Sequence, residues 1–228
     1  MDMSRRQFLS STAGAGALVM SSWGMQMPPS EVPARAVSRW LLLPIPGPRV
    51  LPESFQGYGS ALPAERSGCD RCSLLIVPAV LTIPVDGMQR IAKALRNGAT
   101  VIIESGGGFA GHLKFRQHRR FLREYLQIKV QSPVDLWKGD ARRVPYIDYT
   151  WPYAAKVRDF SRVVPLGDQE GAIIAWAGDR PVGLRRQLER GTLLFLGSPL
   201  GPALWAGDAE ARRWLLGLAA MSSERTRA

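Results

Sequence analysis

The sequence predicts an α/β fold built on parallel strands, and two observations support that prediction. The segment Leu74–Gly111 reads as a buried strand, an amphipathic helix, a second buried strand and a glycine-rich turn. Such a βαβ unit crosses over in the right-handed sense and makes its two strands parallel. Later in the chain, two strand-like runs flank the turn at 177–180, which predicts one antiparallel hairpin. We therefore expect a mostly parallel sheet with a late hairpin.

Each element of the βαβ unit has its own local signal. The apolar, β-branched run Leu74–Val80 suits a strand buried on both faces. Pro84 stands where the first turn of a helix tolerates proline, and the apolar residues after it recur at helical spacing. An Asn-Gly pair at 97–98 ends that helix, and Thr100–Ile103 forms the second buried strand. The glycine turn then lies at the carboxyl end of a strand, where open α/β sheets bind ligands.

The other elements follow in chain order from local patterns. We expect a first strand at 39–45, a long surface connection at 46–71 with room for one short helix, a helix over 112–126, a short strand at 127–131, a last buried strand at 191–197 and a closing helix from near Asp208. Residues 132–164 form the least regular stretch and hold most of the large aromatic side chains. Two interpretations of Tyr149 and Trp151 stay open, namely one wall of a binding cleft or a lid packed on the core.

Residues 1–36 are predicted to be a twin-arginine signal peptide. Arg5 and Arg6 are adjacent, a Phe-Leu pair follows at 8–9, and no charge occurs from there through Ser30. A membrane span is the alternative, but the Ser, Thr and Gly content makes this run poorly hydrophobic. We expect the twin-arginine translocase to export the folded domain, residues 37–228, to the periplasm. Retention of the signal as an N-terminal tether stays open. Proteins exported by this route often fold around a cofactor before export, and the identity of any cofactor also stays open.

The only two cysteines are three residues apart. In an oxidising periplasm, Cys69 and Cys72 are expected to form a small local disulfide or to remain as two thiols. A thioredoxin-type pair follows a strand and opens a helix, whereas this pair precedes a strand. A zinc site would need a second pair of ligands, so no metal site is predicted.

The chain is basic, with a formal net charge of +11 at pH 7. Five of its basic residues fall on the helix predicted over 112–126: Lys114, Arg116, Arg119, Arg120 and Arg123. An exported protein meets little nucleic acid, so nucleic acid is not expected as a partner. The remaining interpretations are an anionic membrane surface, an acidic partner or a solvated helix face.

The order of these segments resembles a class I glutamine amidotransferase-like domain. The resemblance covers Leu41 to Ala220, and four segments support it: LLIVPAV, NGATVIIESGGG, the late hairpin and RGTLLFLGSPLG. It implies a flavodoxin-like fold, with three layers and helices on both faces of a mostly parallel sheet.

The resemblance does not extend to the residues of catalysis. Glutaminases of that family use a nucleophilic Cys at a strand-to-helix elbow, with a His and a Glu after a late strand. Here the elbow position has Glu104 and Ser105, and the segment after the late strand has no His. The resemblance therefore implies a non-catalytic domain that binds a small molecule, a sugar or a periplasmic protein at the carboxyl edge of its sheet. The candidate binding residues are Ser105, Gly106, Gly107, Gly108, Tyr149 and Trp151. The alternative is a hydrolase that uses Ser105 as nucleophile, with His112 as base and Glu104 nearby.

Overall fold

A computed structural model of the 228-residue chain describes residues 40–43, 52–62, 72–106, 108, 111–138, 144–160 and 162–227. All of them belong to the unit that spans Ala36–Ala228. The predicted signal peptide with Arg5 and Arg6 lies outside the described residues, as do Cys69 and Gly107.

The described residues form ten strands and five helices. The strands are β1 (Trp40–Leu42), β2 (Leu74–Val80), β3 (Thr100–Ser105), β4 (Val134–Asp135), β5 (Tyr146–Tyr149), β6 (Ala155–Arg158), β7 (Arg162–Val163), β8 (Ala172–Ala177), β9 (Arg180–Leu188) and β10 (Gly191–Leu196). The helices are α1 (Pro52–Ala61), α2 (Val85–Arg96), α3 (His112–Leu126), α4 (Gly201–Trp205) and α5 (Ala209–Arg227). None of these helices combines the length and the apolar character that crossing a bilayer requires.

Eight of the strands form one mixed sheet, in the order β1-β2-β3-β10-β9-β8-β5-β6. The first four strands of that order run parallel, and every neighbouring pair from β10 to β6 is antiparallel. The sheet thus has a parallel half and an antiparallel half, joined at β10. Strands β4 and β7 form a separate two-stranded ribbon.

The prediction of a mostly parallel, flavodoxin-like sheet is therefore wrong. The sequence pattern located the parallel strands and the β8–β9 hairpin, but it placed no strand in residues 132–164. Strands β5 and β6 come from that stretch and continue the sheet beyond β8. Both alternate exposed and buried side chains, as expected for strands with one solvated face. The large aromatic residues around them obscured this period of two.

Several element boundaries agree with the sequence pattern. The strand Leu74–Val80 and the helix His112–Leu126 have the predicted bounds. The short strand expected at 127–131 is reduced to a single bridge between Val130 and Leu166. At the end of α3, Gln127 adopts a left-handed conformation, which turns the chain out of the helix.

The apolar core has two parts, on opposite faces of the parallel half. Helices α1, α4 and α5 pack on one face, where Trp214 is fully buried, and α2 and α3 pack on the other. Helix α5 contacts both β2 and β6, which are the second and the last strand of the sheet. One helix therefore covers parts of both halves.

Candidate functional site

The carboxyl ends of the parallel strands define one edge of the sheet, and the register extends this edge across the antiparallel half. Leu196, at the end of β10, pairs with Gly183, so the first residues of β9 and the preceding turn project past the ends of the parallel strands. Ala177, at the end of β8, pairs with Arg180. Just after β10, Ser198 donates a 2.8 Å hydrogen bond to the buried carboxylate of Asp159, which follows β6. This edge is where the sequence predicted a ligand site.

Glu104 is the most heavily hydrogen-bonded side chain at that edge. It is fully buried, and its carboxylate accepts five hydrogen bonds. The donors are the hydroxyls of Ser54 and Tyr58 (2.7 Å for Tyr58) and the backbone amides of Ala79 (3.0 Å), Leu200 (2.7 Å) and Gly201 (3.0 Å). Burial raises the pKa of Glu104, while these hydrogen bonds act in the opposite direction. Burial, together with the nearby Glu104 charge, also raises the pKa of Tyr58.

These hydrogen bonds make Glu104 a structural anchor. They join α1, the end of β2 and the turn between β10 and α4 to the end of β3. Helices α1 and α4 touch through their backbones, since a Cβ at Gly57 would lie 2.0 Å from the carbonyl oxygen of Gly201. Both carboxylate oxygens are occupied by the protein's own donors. Glu104 is therefore not positioned to act on a ligand from solvent.

Ser105 is paired with a histidine, but not with the predicted one. Its Oγ lies 2.9 Å from Nε2 of His118, and Nδ1 of His118 lies 2.7 Å from the carbonyl oxygen of Leu81. A carbonyl can only accept, so Nδ1 bears the proton and Nε2 is free to accept from the Ser105 hydroxyl. His112 is exposed at the start of α3. The alternative that paired Ser105 with His112 is thus corrected to His118.

The Ser105–His118 pair is closed off from solvent. Ser105 is 0% exposed and His118 is 1% exposed. Burial lowers the pKa of His118, which keeps the imidazole neutral. The sequence did contain a signal for this residue, because His118 shares the buried face of α3 with Phe115 and Leu122 at helical spacing.

The glycines after Ser105 make close contacts within the protein. A Cβ at Gly106 would lie 2.6 Å from the carbonyl oxygen of Val80, and one at Gly108 would lie 2.5 Å from that of Arg162. Glycine is needed at both positions because another part of the backbone occupies the space that a side chain would fill. The described part of the turn is therefore filled by protein.

Tyr149 and Trp151 lie in the antiparallel half of the molecule. Tyr149 is buried on β5, four strands from β3 in sheet order, and its ring packs 4.6 Å from that of Trp214. Burial raises the pKa of Tyr149 strongly. The carbonyl oxygen of Trp151 accepts a 2.9 Å hydrogen bond from Nε1 of Trp214, and the Arg185 guanidinium lies 4.8 Å from the Trp151 ring. Both residues serve core packing rather than lining an open cleft beside the glycine turn.

An open cavity of about 490 Å³ lies at the same edge of the sheet, on the antiparallel half. It is bounded by the β8–β9 turn and by residues of β5 and β6, and its polar side chains are Tyr146, Asp148, Lys156, Asp179 and Arg180. Asp148 and Lys156 are cross-strand partners, with 4.0 Å between Oδ1 and Nζ. The Lys156 ammonium also lies 5.4 Å from the centre of the Tyr146 ring. Sequence reasoning missed this cavity because its residues come from four separate segments, near 136, 144–148, 156 and 177–180.

A second cavity, of about 370 Å³, lies between the start of α2 and the side of α3. Its apolar lining includes Ile83, Val85, Met88, Phe121 and Tyr125. The rings of Phe121 and Tyr125 stack with centres 5.3 Å apart. Gln117, Arg120 and Glu124 also line it, and the groove as a whole is more apolar than the first cavity.

Neither the metal nor the disulfide expectation gains a structural test. Within the described ranges, no three side chains of His, Cys, Asp or Glu converge as metal ligands would. Cys72 is buried just before β2, and its predicted partner Cys69 lies outside the described residues. The disulfide therefore remains a prediction.

Comparisons with known proteins find similarity in structure only. No family model matches the chain, and no curated protein matches it. A cold-adapted β-galactosidase from Rahnella sp. R3 matches with a TM-score of 0.50 at 12% identity, over 78% of this chain and 31% of that chain. A β-galactosidase from Bacillus circulans sp. alkalophilus matches with a TM-score of 0.48 at 14% identity, over 70% of this chain and 26% of that chain. The α-L-fucosidase isoenzyme 2 from Paenibacillus thiaminolyticus matches with a TM-score of 0.48 at 10% identity, over 75% of this chain and 29% of that chain.

This chain thus spans between about a quarter and a third of the length of these glycosidases. At such low identity the similarity concerns the fold of one part of each enzyme and leaves the activity undetermined. The mixed sheet alone overturns the flavodoxin-like expectation.

Proposed function

We propose that this chain is a non-catalytic binding domain that holds a sugar in the open cavity at the edge of its antiparallel half. One observation carries the proposal. At the carboxyl edge of the parallel half the polar side chains are buried and bonded to one another, whereas the 490 Å³ cavity presents its polar side chains to solvent. A ligand can therefore reach the polar side chains of the open cavity directly from solvent.

The composition of the cavity suits a neutral, polyhydroxylated ligand. The carboxylates of Asp148 and Asp179 accept hydrogen bonds from sugar hydroxyls, and Lys156 and Arg180 donate to them. The ring of Tyr146 offers an apolar surface with a polar tip. Acceptors and donors are balanced, so the cavity favours neither a strong anion nor a strong cation. Its volume falls within the usual range of about 300–1,000 Å³ for small-molecule sites.

Burial is the argument against catalysis at the glycine turn. A nucleophile and its base must reach the substrate, yet Ser105 and His118 are both inaccessible. The neighbouring carboxylate of Glu104 is held by five donors of the protein itself. Export to the periplasm and a relation to amidotransferase-like domains remain parts of this proposal that rest on the sequence alone.

Calorimetric titration tests the sugar site. We use galactose and lactose as probes, because two of the similar structures are β-galactosidases. Asp179→Asn removes a carboxylate from the cavity and should weaken binding at least about tenfold, since a hydrogen bond to a charged group is worth about 1.5–3 kcal/mol. Asp168→Asn, an exposed carboxylate outside the cavity, is the matched control and should leave binding unchanged.

Two results would contradict the sugar site. One is equal weakening in the Asp179 and Asp168 variants, which would show a nonspecific charge effect. The other is failure of the wild-type chain to bind either probe or any sugar on a broad glycan array.

A second candidate function, a serine hydrolase, is favoured by the Ser105–His118 geometry. The hydroxyl faces the acceptor nitrogen of a histidine whose tautomer a backbone carbonyl fixes, which is how a general base activates serine. A fluorophosphonate probe would label Ser105 if the turn opens. Labelling should then be lost in Ser105→Ala and His118→Gln and retained in His112→Gln. Absence of labelling in the wild-type chain would exclude this candidate.

A further inference from the structure

The surface around the α2–α3 groove exposes large apolar side chains. Val85 at the start of α2 is 75% exposed, Leu113 in the first turn of α3 is 68% exposed, and Tyr125 in its last turn is 64% exposed. We call the surface formed by Val85, Leu113, Tyr125 and the solvent-exposed side of α3 (His112–Leu126) the α3 face. Exposed apolar groups clustered beside a groove commonly mark an interaction site.

A row of arginines lies beside these apolar groups. Arg116, Arg119 and Arg123 are exposed at positions i, i+3 and i+7, so they share one flank of α3, while Phe121 and Tyr125 lie on the other flank against the groove. Of the five basic residues of α3, only Arg120 forms an ion pair within the described part of the chain, with Glu124 at 2.7 Å. The arginine row thus carries positive charge that no acidic residue of the described structure neutralises.

We propose that the α3 face docks on the anionic surface of a phospholipid bilayer. Cationic side chains attract acidic headgroups, and neighbouring apolar side chains enter the boundary between headgroups and acyl chains. The arginine row on one flank of α3 supplies the cationic component, and Leu113, Val85 and Tyr125, on the outward side and the groove flank, supply the apolar one. The net charge of +11 adds a longer-range attraction of the same sign.

A bilayer fits this face better than an acidic protein does. An acidic protein surface would complement the arginines, but polar acidic residues would leave the exposed leucine, valine and tyrosine without an apolar environment. A bilayer interface accommodates both kinds of side chain side by side. The α3 face lies on a different element from the sugar cavity, so the two proposals stand or fall separately.

Vesicle sedimentation tests the proposal on the full chain. The probes are vesicles of equal parts phosphatidylglycerol and phosphatidylcholine, with phosphatidylcholine alone for comparison. At about fivefold per basic residue, the triple variant Arg116→Gln, Arg119→Gln, Arg123→Gln should reduce partitioning onto anionic vesicles by roughly 100-fold. The matched control replaces three exposed arginines outside α3 with Gln, namely Arg96, Arg190 and Arg212. This control makes the same change in net charge and should lose far less binding.

A second variant tests the apolar component. Leu113→Ser leaves every charge in place, and we expect it to reduce binding by up to roughly tenfold, most visibly in high salt, where charges are screened. The side chain is exposed, so the far-ultraviolet circular dichroism of the variant should match that of the wild type. The predicted signal segment is identical in all these variants and cancels from each comparison.

Three outcomes would overturn the proposal. The first is equal binding to neutral and anionic vesicles by the wild-type chain, or binding to neither. The second is equal loss in the arginine-row triple and in its matched control, which would mean that only net charge matters. The third is binding to poly-L-glutamate through the same arginines without vesicle binding, which would identify an acidic protein as the partner.

Discussion

Replacing Glu104 with Gln tests whether this buried carboxylate organises the edge of the sheet. Oε1 of Glu104 accepts from the Tyr58 hydroxyl and from the amides of Leu200 and Gly201, and Oε2 accepts from the Ser54 hydroxyl and the amide of Ala79. A Gln retains one accepting oxygen and puts an NH₂ group in place of the other. The Ser54 hydroxyl can rotate to accept from that group. The Ala79 amide cannot, and it is left facing another donor.

The expected cost follows from these contacts. An unsatisfied buried amide costs about 1–3 kcal/mol. The three hydrogen bonds that remain change from a charged to a neutral acceptor, which weakens each by roughly 1 kcal/mol. Removal of a buried charge offsets part of this loss, because burial raises the pKa of Glu104. We therefore expect a net loss of about 2–4 kcal/mol in the free energy of unfolding, and a fall of roughly 5–15 °C in Tm.

Urea unfolding followed by far-ultraviolet circular dichroism measures this difference. Glu124→Gln removes a carboxylate from an exposed ion pair on α3 and serves as the control, with an expected change below about 1 kcal/mol. If Glu104→Gln lost no more stability than Glu124→Gln, the carboxyl would have to be protonated in the native state. The interpretation of Glu104 as an ionised carboxylate that accepts five hydrogen bonds would then be refuted.

Three further predictions follow from single features. Burial lowers the pKa of His118 below its ordinary 6.5, so the unfolded chain binds a proton that the folded chain does not. The free energy of unfolding should thus fall as the pH drops from about 7 through 6.5 toward the folded-state pKa. Urea denaturation at several pH values across that range should show that this free energy depends less steeply on pH in His118→Gln than in the wild type. Gly57→Ala should destabilise α1 against the Gly201 carbonyl by several kcal/mol, whereas Gly59→Ala, on the same helix with open space, should be neutral or stabilise by about 0.5–1 kcal/mol; equal melting temperatures would contradict this. Changing both arginines at positions 5 and 6 to lysine should keep the precursor in the cytoplasm, and a fractionation showing normal export would disprove the signal assignment.

The sequence predicted the parallel half of the fold because its signals are local. Strand β2 is a continuous apolar run and helix α3 has apolar residues at helical spacing; each signal is complete within its element, and the structure reproduces the predicted bounds. The antiparallel half depends on pairing between distant segments, since β5 pairs with β8 rather than with its predecessor in the chain. Four-residue strands flanked by aromatic residues give too little pattern to show that pairing.

The site residues divide in the same way. Glu104 and Ser105 stand out as polar residues that end a buried strand, so the sequence marked them. The partner of Ser105 depended on which face of α3 turned inward, and the burial period could have selected His118 over His112. The open cavity could not be seen in advance. Its side chains meet only because β5, β6 and the β8–β9 turn are brought together by the sheet register.

The position of β10 in the sheet has a consequence for biosynthesis. This strand lies between β3 and β9, although it is one of the last elements to be made. Until residue 196 has left the ribosome, the parallel and antiparallel halves have no shared strand, and β3 and β9 each present an unpaired edge. Pairing that joins distant segments is slow to form and is exposed to aggregation while it waits. We therefore expect the nascent chain to gain protease resistance only after its synthesis is nearly complete, a maturation step that must precede any export of the folded form.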